Sequence, residues 1–347
     1  MNTFASLILP PLSAIYSAAT RARATAYRRG WFSVSRLAAP VISVGNLTTG
    51  GTGKTPLVEW VCRAVASETR KKVCVLTRGY GRPNPKSQVV VSDGTRLLAG
   101  VRDSGDEPYL LAQNLINVAA VISNPDRLAA GNWAIKNLGS QVFVLDDGFQ
   151  YLSLTRDLDI LTIDATNPWG GGRLLPHGRL REPRAGLSRA DCVVITRTDQ
   201  GKDLDSTQDA VNRLADASPV LSSRMVTSGM RKLNGESVDK KSFLSEPVAA
   251  FCGVGNPGSF FNNLRSEGFV PLFTRAFADH HSYSQADLDR LVEDAKANGA
   301  LALLTTAKDA IKMSTLKMEL PCYVLEIQIS IDDEDRLLDL VRKACGE

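Results

Sequence analysis

The chain has 347 residues, 44% of them hydrophobic and 22% charged, with 41 basic and 37 acidic side chains and a net charge of +4. Those values exclude a disordered chain and leave room for one large core or two ordinary ones, two being the better expectation. Six cysteines (Cys62, Cys74, Cys192, Cys252, Cys322, Cys345) are scattered without a C-x-x-C pair. They point to a reducing cytoplasm and away from a disulfide framework or a zinc site.

The charge is uneven. Residues 1–58 hold six basic side chains (Arg21, Arg23, Arg28, Arg29, Arg36, Lys54) and no acid, so the rest of the chain is slightly acidic. The first of these follow an uncharged stretch, Thr3 to Thr20, with Phe4, Leu7, Ile8, Leu9, Leu12, Ile15 and Tyr16. A secretory signal would place its charge before the apolar run, and a spanning helix needs roughly 20 predominantly apolar residues. This stretch is shorter, and Pro10-Pro11 interrupts it. Arginines and Trp31 after an apolar run suit a segment lying in the interface of an anionic membrane; the alternative is an amphipathic helix docked on the protein's own core.

Val41 to Pro56 reads VISVGNLTTGGTGKTP. A β-branched run, a glycine-rich turn and a helical face of Leu57, Val58, Val61, Ala64 and Val65 give strand, loop, helix. Glycines let backbone N–H groups converge on phosphate oxygens, and the helix N-terminus adds partial positive charge. In that setting Gly50, Gly51, Thr52 and Gly53 cradle phosphates, Lys54 reaches the outer ones and Thr55 offers a hydroxyl to Mg²⁺. Thr48 stands where the usual pattern has glycine.

Further apolar runs at 73–76, 118–122, 142–145, 158–163 and 192–196 alternate with helical patterns at 56–66, 108–115 and 125–138. This predicts a parallel sheet sandwiched by helices, of the P-loop NTPase kind. A second series follows, with strands at 220–223, 248–252, 301–305 and 323–327 and helices at 257–265, 285–297 and 333–343. The division expected is 1–36 for the membrane-associating segment, 37–215 for a P-loop domain and 216–347 for a smaller α/β domain. The last helix of the chain is free to pack back on the first domain.

Asp146-Asp147 ends one of these strands, where nucleotide sites place an acid that holds Mg²⁺. Ser104-Gly105-Asp106-Glu107-Pro108 precedes a helix; on the residues alone a helix cap is the simpler reading, and a base for an attacking hydroxyl the functional one. Residues 169–184 are glycine-rich, with Arg173, Arg179, Arg181 and Arg184 suited to an anion. His280 and His281 beside Asp279 make an incomplete metal site or a proton-transfer partner. The loops 196–199 and 306–309 are weak candidates for contact with a base or ribose.

Together these segments resemble the tetraacyldisaccharide 4'-kinases of lipid A synthesis. The resemblance rests on GNLTTGGTGKTP (45–56), TRGYGR (77–82), GDEP (105–108), DDGFQYLSLTRDLDI (146–160) and GGGRLLPHGRLREP (170–183). It extends to GVGNPGSFFNNL (253–264), FADHHSY (277–283) and TTAKDAIK (305–312). Tyr151, Gly171 and Ala307 depart from the residues common there. The resemblance implies transfer of the γ-phosphoryl group of ATP to the 4'-hydroxyl of a tetraacylated glucosamine disaccharide 1-phosphate, with Mg²⁺. It makes Asp106 the base and His280 its dyad partner, with Asp146 and Asp147 at the metal. Gln150, Arg78, Arg127, Arg181 and Glu182 become contacts to nucleotide or substrate. It places the enzyme on the cytoplasmic face of the bacterial inner membrane, peripheral or monotopic, where it meets its lipid. Neither a nucleic acid nor an obligate protein partner is expected.

Overall fold

The computed structural model describes residues 3–346, with side chains from residue 9 onward and residue 242 excepted. The side chains of Phe4, Leu7 and Ile8, counted above in the apolar stretch, lie outside the described residues. The chain opens with α1 (Thr3–Arg28), the central strand β1 (Val41–Asn46), the glycine-rich loop and α2 (Lys54–Thr69). Next come β2 (Val73–Thr77), β3 (Val89–Ser92), the single turn α3 (Val101–Ser104) and α4 (Asp106–Asn114). Then follow β4 (Ala119–Ser123), α5 (Arg127–Leu138), β5 (Val142–Asp146), β6 (Leu158–Asp164), β7 (Cys192–Thr196) and α6 (Leu204–Ala215). The remainder runs β8 (Val220–Lys232), β9 (Ser237–Val238), β10 (Val248–Cys252), α7 (Pro257–Ser266), β11 (Phe273–Ala276) and α8 (Gln285–Ala297). It closes with β12 (Ala302–Thr306), α9 (Ala307–Ala310), β13 (Cys322–Ile331) and α10 (Glu334–Ala344).

The result is a mixed α/β sheet with the strand order β11-β10-β12-β13-β8-β7-β6-β1-β5-β2-β4-β3, and β9 pairs β8. Most neighbours are parallel; β3–β4, β8–β9 and β8–β13 are antiparallel. Strands β1, β2, β4, β5, β6 and β7 are buried at every position, as covering helices on both faces require. One strand serves both halves: Val220–Ser222 of β8 pair with β7, and Ser223 onward pairs with β13.

Helix α2 shows how sequence sets position. Its buried stripe (Leu57, Val58, Val61, Cys62, Ala64, Val65) packs on the central strands, and it stops at Arg70, whose left-handed φ of 54° lets its N–H close on the Ala66 carbonyl. Helix α10 joins the same core through Leu337 and Val341, and Arg342 pairs with Glu68 of α2 at 2.6 Å.

The proline pair does not interrupt α1. Proline's fixed φ is compatible with helical backbone, and both rings are exposed, so water can satisfy the carbonyls they free. Strands β8 and β13 are longer than their apolar runs suggest because burial alternates along each, leaving no continuous hydrophobic signal.

Candidate active site

The glycine-rich loop leaves β1 between β5 and β6, at the carboxyl ends of the strands. Gly50 (φ 111°) and Gly53 (φ 81°) adopt the left-handed region that a side chain disfavours, and Gly53 caps α2. Thr48 replaces the pattern's glycine without strain because it bridges Leu180 in extended backbone. Thr49 N–H donates to the Arg179 carbonyl (2.8 Å) and Arg181 N–H to that of Leu47 (2.7 Å), stitching the glycine-rich loop to the arginine loop. Within it, Asn46 donates to Thr52 Oγ1 (2.9 Å), and Thr52 shares a 3.0 Å bond with Thr162.

Lys54 Nζ donates to Asn46 Oδ1 (3.1 Å) and lies 3.3 Å from Asp147, which Arg181 also grips at 2.6 Å. Burial alone would raise the Asp147 carboxyl, but these two cations outweigh it and hold it well below the usual carboxylate range. Asp146, at the end of β5, accepts from Thr77 Oγ1 at 2.9 Å. Burial, with Glu107 and Asp147 nearby, pushes its carboxyl up to about 6. Two adjacent carboxylates thus sit in opposite electrostatic settings.

Gln150 donates to the Asn46 carbonyl (2.9 Å) and to Glu182 (2.8 Å), and Arg189 clamps Glu182 at 2.8 Å while lying over the Phe149 ring. Arg127 lies 5.0 Å over the Tyr151 ring, so the tyrosine holds a guanidinium against the cavity wall. Arg78 is exposed at the cavity lining.

Asp106 opens α4. One carboxylate oxygen accepts the Glu107 N–H (3.0 Å); the other accepts from His280 Nδ1 at 2.8 Å across 174 residues of sequence. The N-cap of α4 is Gly105, without a side-chain cap bond, so Asp106 is not the cap and its carboxylate faces His280 instead. His280 is delivered by the loop after β11 in left-handed backbone (φ 59°), a strained setting for a non-glycine residue. His281 is used otherwise: it donates to Asp287 at 3.2 Å and stacks on Phe277. Lys308 reaches Glu107 (2.9 Å) and stands 3.4 Å from His280 Nε2.

Burial raises the Asp106 carboxyl, but the His280 hydrogen bond and Lys308 outweigh it and leave it lowered. The Asp106 bond raises the His280 imidazole against burial and Lys308. A lowered acid stabilises the fold above its ordinary value of 3.8, and a raised imidazole does so below its ordinary 6.5. The stability gap between wild type and His280→Ala is therefore expected to be widest between those values, at about 1–2 kcal/mol. It narrows as pH rises through the raised imidazole pKa or falls through the lowered carboxyl pKa. Thermal melts of both proteins from pH 4 to 9 check this; a gap that grows above pH 8 contradicts it.

One cavity of about 1200 Å³ brings together Gly50–Thr55, Arg78, Glu107, Arg127, Asp146, Asp147, Gln150, Arg181, Glu182 and His280, and Asp106 adjoins this lining through its bond to His280. Tyr16, Thr20 and Arg23 of α1, with Tyr80, Arg189 and Lys308, also line it and were not singled out by sequence. Only short TTAKD and TRGYGR segments hinted at Lys308 and Tyr80. Nothing local in α1 distinguishes its inner face.

Residues 5–346 match the family model described as tetraacyldisaccharide-1-P 4'-kinase. The chain belongs to that family. It is 40% identical over 338 residues to the tetraacyldisaccharide 4'-kinase of Geobacter metallireducens, covering 97% of each chain. The Desulfotalea psychrophila enzyme of the same name is 35% identical, with 97% of this chain and 95% of that one covered. Among solved structures, the LpxK of Aquifex aeolicus in complex with ATP superposes with a TM-score of 0.78 at 31% identity, covering 96% of this chain and 98% of that one.

Proposed function

We propose that this member of the kinase family transfers the γ-phosphoryl group of ATP to the 4'-hydroxyl of a tetraacylated glucosamine disaccharide 1-phosphate, a step of lipid A synthesis. The observation that carries the reading is the Asp106–His280 pair, whose His280 lines one cavity with Lys54 and the phosphate-type loop. Phosphoryl transfer needs positioning and charge stabilisation more than covalent help from the protein. The Asp106 carboxylate accepts the proton of the acceptor hydroxyl as its oxygen bonds to γ-phosphorus and the bond from γ-phosphorus to the β,γ-bridging oxygen breaks, releasing ADP. His280 donates Nδ1–H to the other carboxylate oxygen and keeps it ionised and oriented. Lys54, with Arg181 and Arg127 in the cavity wall, offsets charge on the transferring group.

Residues Thr55, Asp146 and Asp147 form a hard oxygen donor set suited to Mg²⁺. Such a cation takes few protein ligands and completes its shell with phosphate and water. The raised Asp146 carboxyl is the group such a cation would keep ionised. Bound there, Mg²⁺ supplies Lewis-acid neutralisation of the phosphate oxygens.

Residues 37–215 act as the nucleotide domain and 216–347 as the lobe that brings His280 and Lys308 to it. Residues 1–36 carry the membrane contact. Helix α1 uses one face on the protein: Ser13 donates to the Leu174 carbonyl and Tyr16 to that of Arg181, each at 2.9 Å, and Arg23 donates to that of Gln150 at 3.2 Å. Beside that face Leu12 and Ile15 stay exposed, with Arg21, Arg28, Arg29 and Trp31 exposed further along. No described helix is long and apolar enough to cross a membrane. An apolar ridge with a basic collar seats the cavity against anionic lipid at the cytoplasmic face of the inner membrane.

The double variant Leu12→Asp, Ile15→Asp is expected to lose about tenfold or more in cosedimentation with phosphatidylglycerol vesicles, while ATP binding stays unchanged. Unchanged sedimentation would mean that this face does not meet lipid. The kinase reading itself is tested by phosphate transfer to the lipid acceptor.

A further inference from the structure

We infer that Asp164, Arg197 and Asn256 are positioning residues that hold the back of the glycine-rich loop, so that its amides face the phosphates, and tie that loop to the C-terminal lobe. The inference rests on the nucleotide reading of the 46–55 loop.

Arg197 Nη1 donates to the carbonyl of Gly51 (2.9 Å) and to Asp164 Oδ2 (2.6 Å), and Arg197 and Asp164 are 8% and 6% exposed. The hydroxyl of the preceding residue, fully buried Thr196, donates to the carbonyl of Thr52 at 2.9 Å. A trans peptide is planar, with its C=O and N–H pointing in opposite directions. Fixing the Gly51 carbonyl therefore fixes the Thr52 N–H, and fixing the Thr52 carbonyl fixes that of Gly53. Two consecutive amides of the loop are aimed by groups on its far side. A flexible glycine-rich segment would otherwise lose entropy each time it ordered around a ligand.

The guanidinium is itself held. Asp164 is locked by Thr166, whose N–H and hydroxyl both donate to Oδ1 (3.0 and 2.7 Å). Arg197 sits in left-handed backbone at φ 57°, a conformation kept only where surrounding contacts dictate it. Asn256 completes the link from the other lobe: its Nδ2 donates to Asp164 Oδ2 (3.1 Å) and to Thr166 Oγ1 (2.9 Å), while its Oδ1 caps α7 at Ser259 N–H. The neighbouring Gly255 lies so close that an added Cβ would stand 2.6 Å from the Gly51 nitrogen. The turn at 253–258 thus rests on the backbone of the loop it helps to hold. Within the 196–199 segment, a candidate for contact with a base or ribose, Thr196 and Arg197 are directed at the loop's carbonyls.

The test uses the full chain in detergent–lipid micelles, with ATP varied at saturating acceptor and acceptor varied at saturating ATP. Thr196→Val removes one hydroxyl at constant shape, Arg197→Lys keeps the charge but not the fork, and Asn256→Ala cuts the link between lobes. For the first two, KM for ATP is expected to rise about 5- to 20-fold, and about threefold or more for the third, with kcat within about threefold and the acceptor KM unchanged. Thr196→Ser should restore the wild-type KM. A merely structural role would lower the active fraction, and so kcat, without moving KM. An ATP KM equal to wild type in both Thr196→Val and Arg197→Lys overturns the inference whatever happens to kcat. Failure of the wild type to saturate with ATP would instead sink the nucleotide reading on which it stands.

Discussion

Asp106→Asn is expected to lower kcat by about 10²–10⁴-fold and to leave the KM for ATP within about threefold of wild type. The amide keeps the size of the carboxylate but cannot accept the hydroxyl proton. It also faces His280 Nδ1–H with altered donor and acceptor groups, where the carboxylate now accepts at 2.8 Å. The nucleotide contacts on the β1–α2 loop are untouched, so binding survives while transfer fails. Rapid-quench measurement of phosphotransfer alongside equilibrium ATP binding separates the two. A variant that turns over at near wild-type rate would remove Asp106 from the chemistry and turn attention to Glu107, which the structure instead pairs with Lys308 at 2.9 Å.

Lys54→Ala is expected to lower kcat/KM for ATP by about 10³-fold or more, roughly 4 kcal/mol of transition-state stabilisation. Lys54 is mostly enclosed and aimed by Asn46 Oδ1 and Asp147, so its ammonium is held ready at the loop where phosphate charge accumulates. Its removal also leaves Asp147 with Arg181 as its remaining cation in that ion-pair group, so a second carboxylate loses part of its neutralisation. Steady-state kinetics with ATP varied, checked against the variant's melting temperature, distinguish lost catalysis from lost fold. A loss below tenfold would show that the arginines carry the charge stabilisation without Lys54.

The parallel half of the sheet was legible because its strands are buried on both faces and read as unbroken apolar runs. Val41–Asn46 and Val142–Asp146 were found within two residues for that reason. Of the long antiparallel pair β8 and β13 only the segments 220–223 and 323–327 were legible, because burial is interrupted along the rest of each strand. Helix α6 was missed as well, although Asp203 caps it by accepting from Ser206 N–H. The phosphate-type loop was readable from local spacing, since its glycines answer to local backbone angles.

Pairings across the chain were not local facts. Nothing near Asp106 in sequence reveals His280, and on the residues alone the helix cap was the simpler account; resemblance supplied the partner and the coordinates supplied its distance. Lys308 was marked only by the short 306–309 segment, and the inner face of α1 had no signal, because its place at the cavity depends on how the helix packs. The same holds for Arg197, whose sequence setting suggests a ligand contact while its guanidinium binds the protein's own backbone.

The most direct measurement is transfer of labelled γ-phosphate from ATP to a tetraacyl-glucosamine disaccharide 1-phosphate in micelles with Mg²⁺, comparing wild type with Lys54→Ala. The account predicts a phosphorylated lipid from wild type, with label at the 4'-position, and about a thousandfold less from the variant. Release of free phosphate with no labelled lipid from wild type would contradict it.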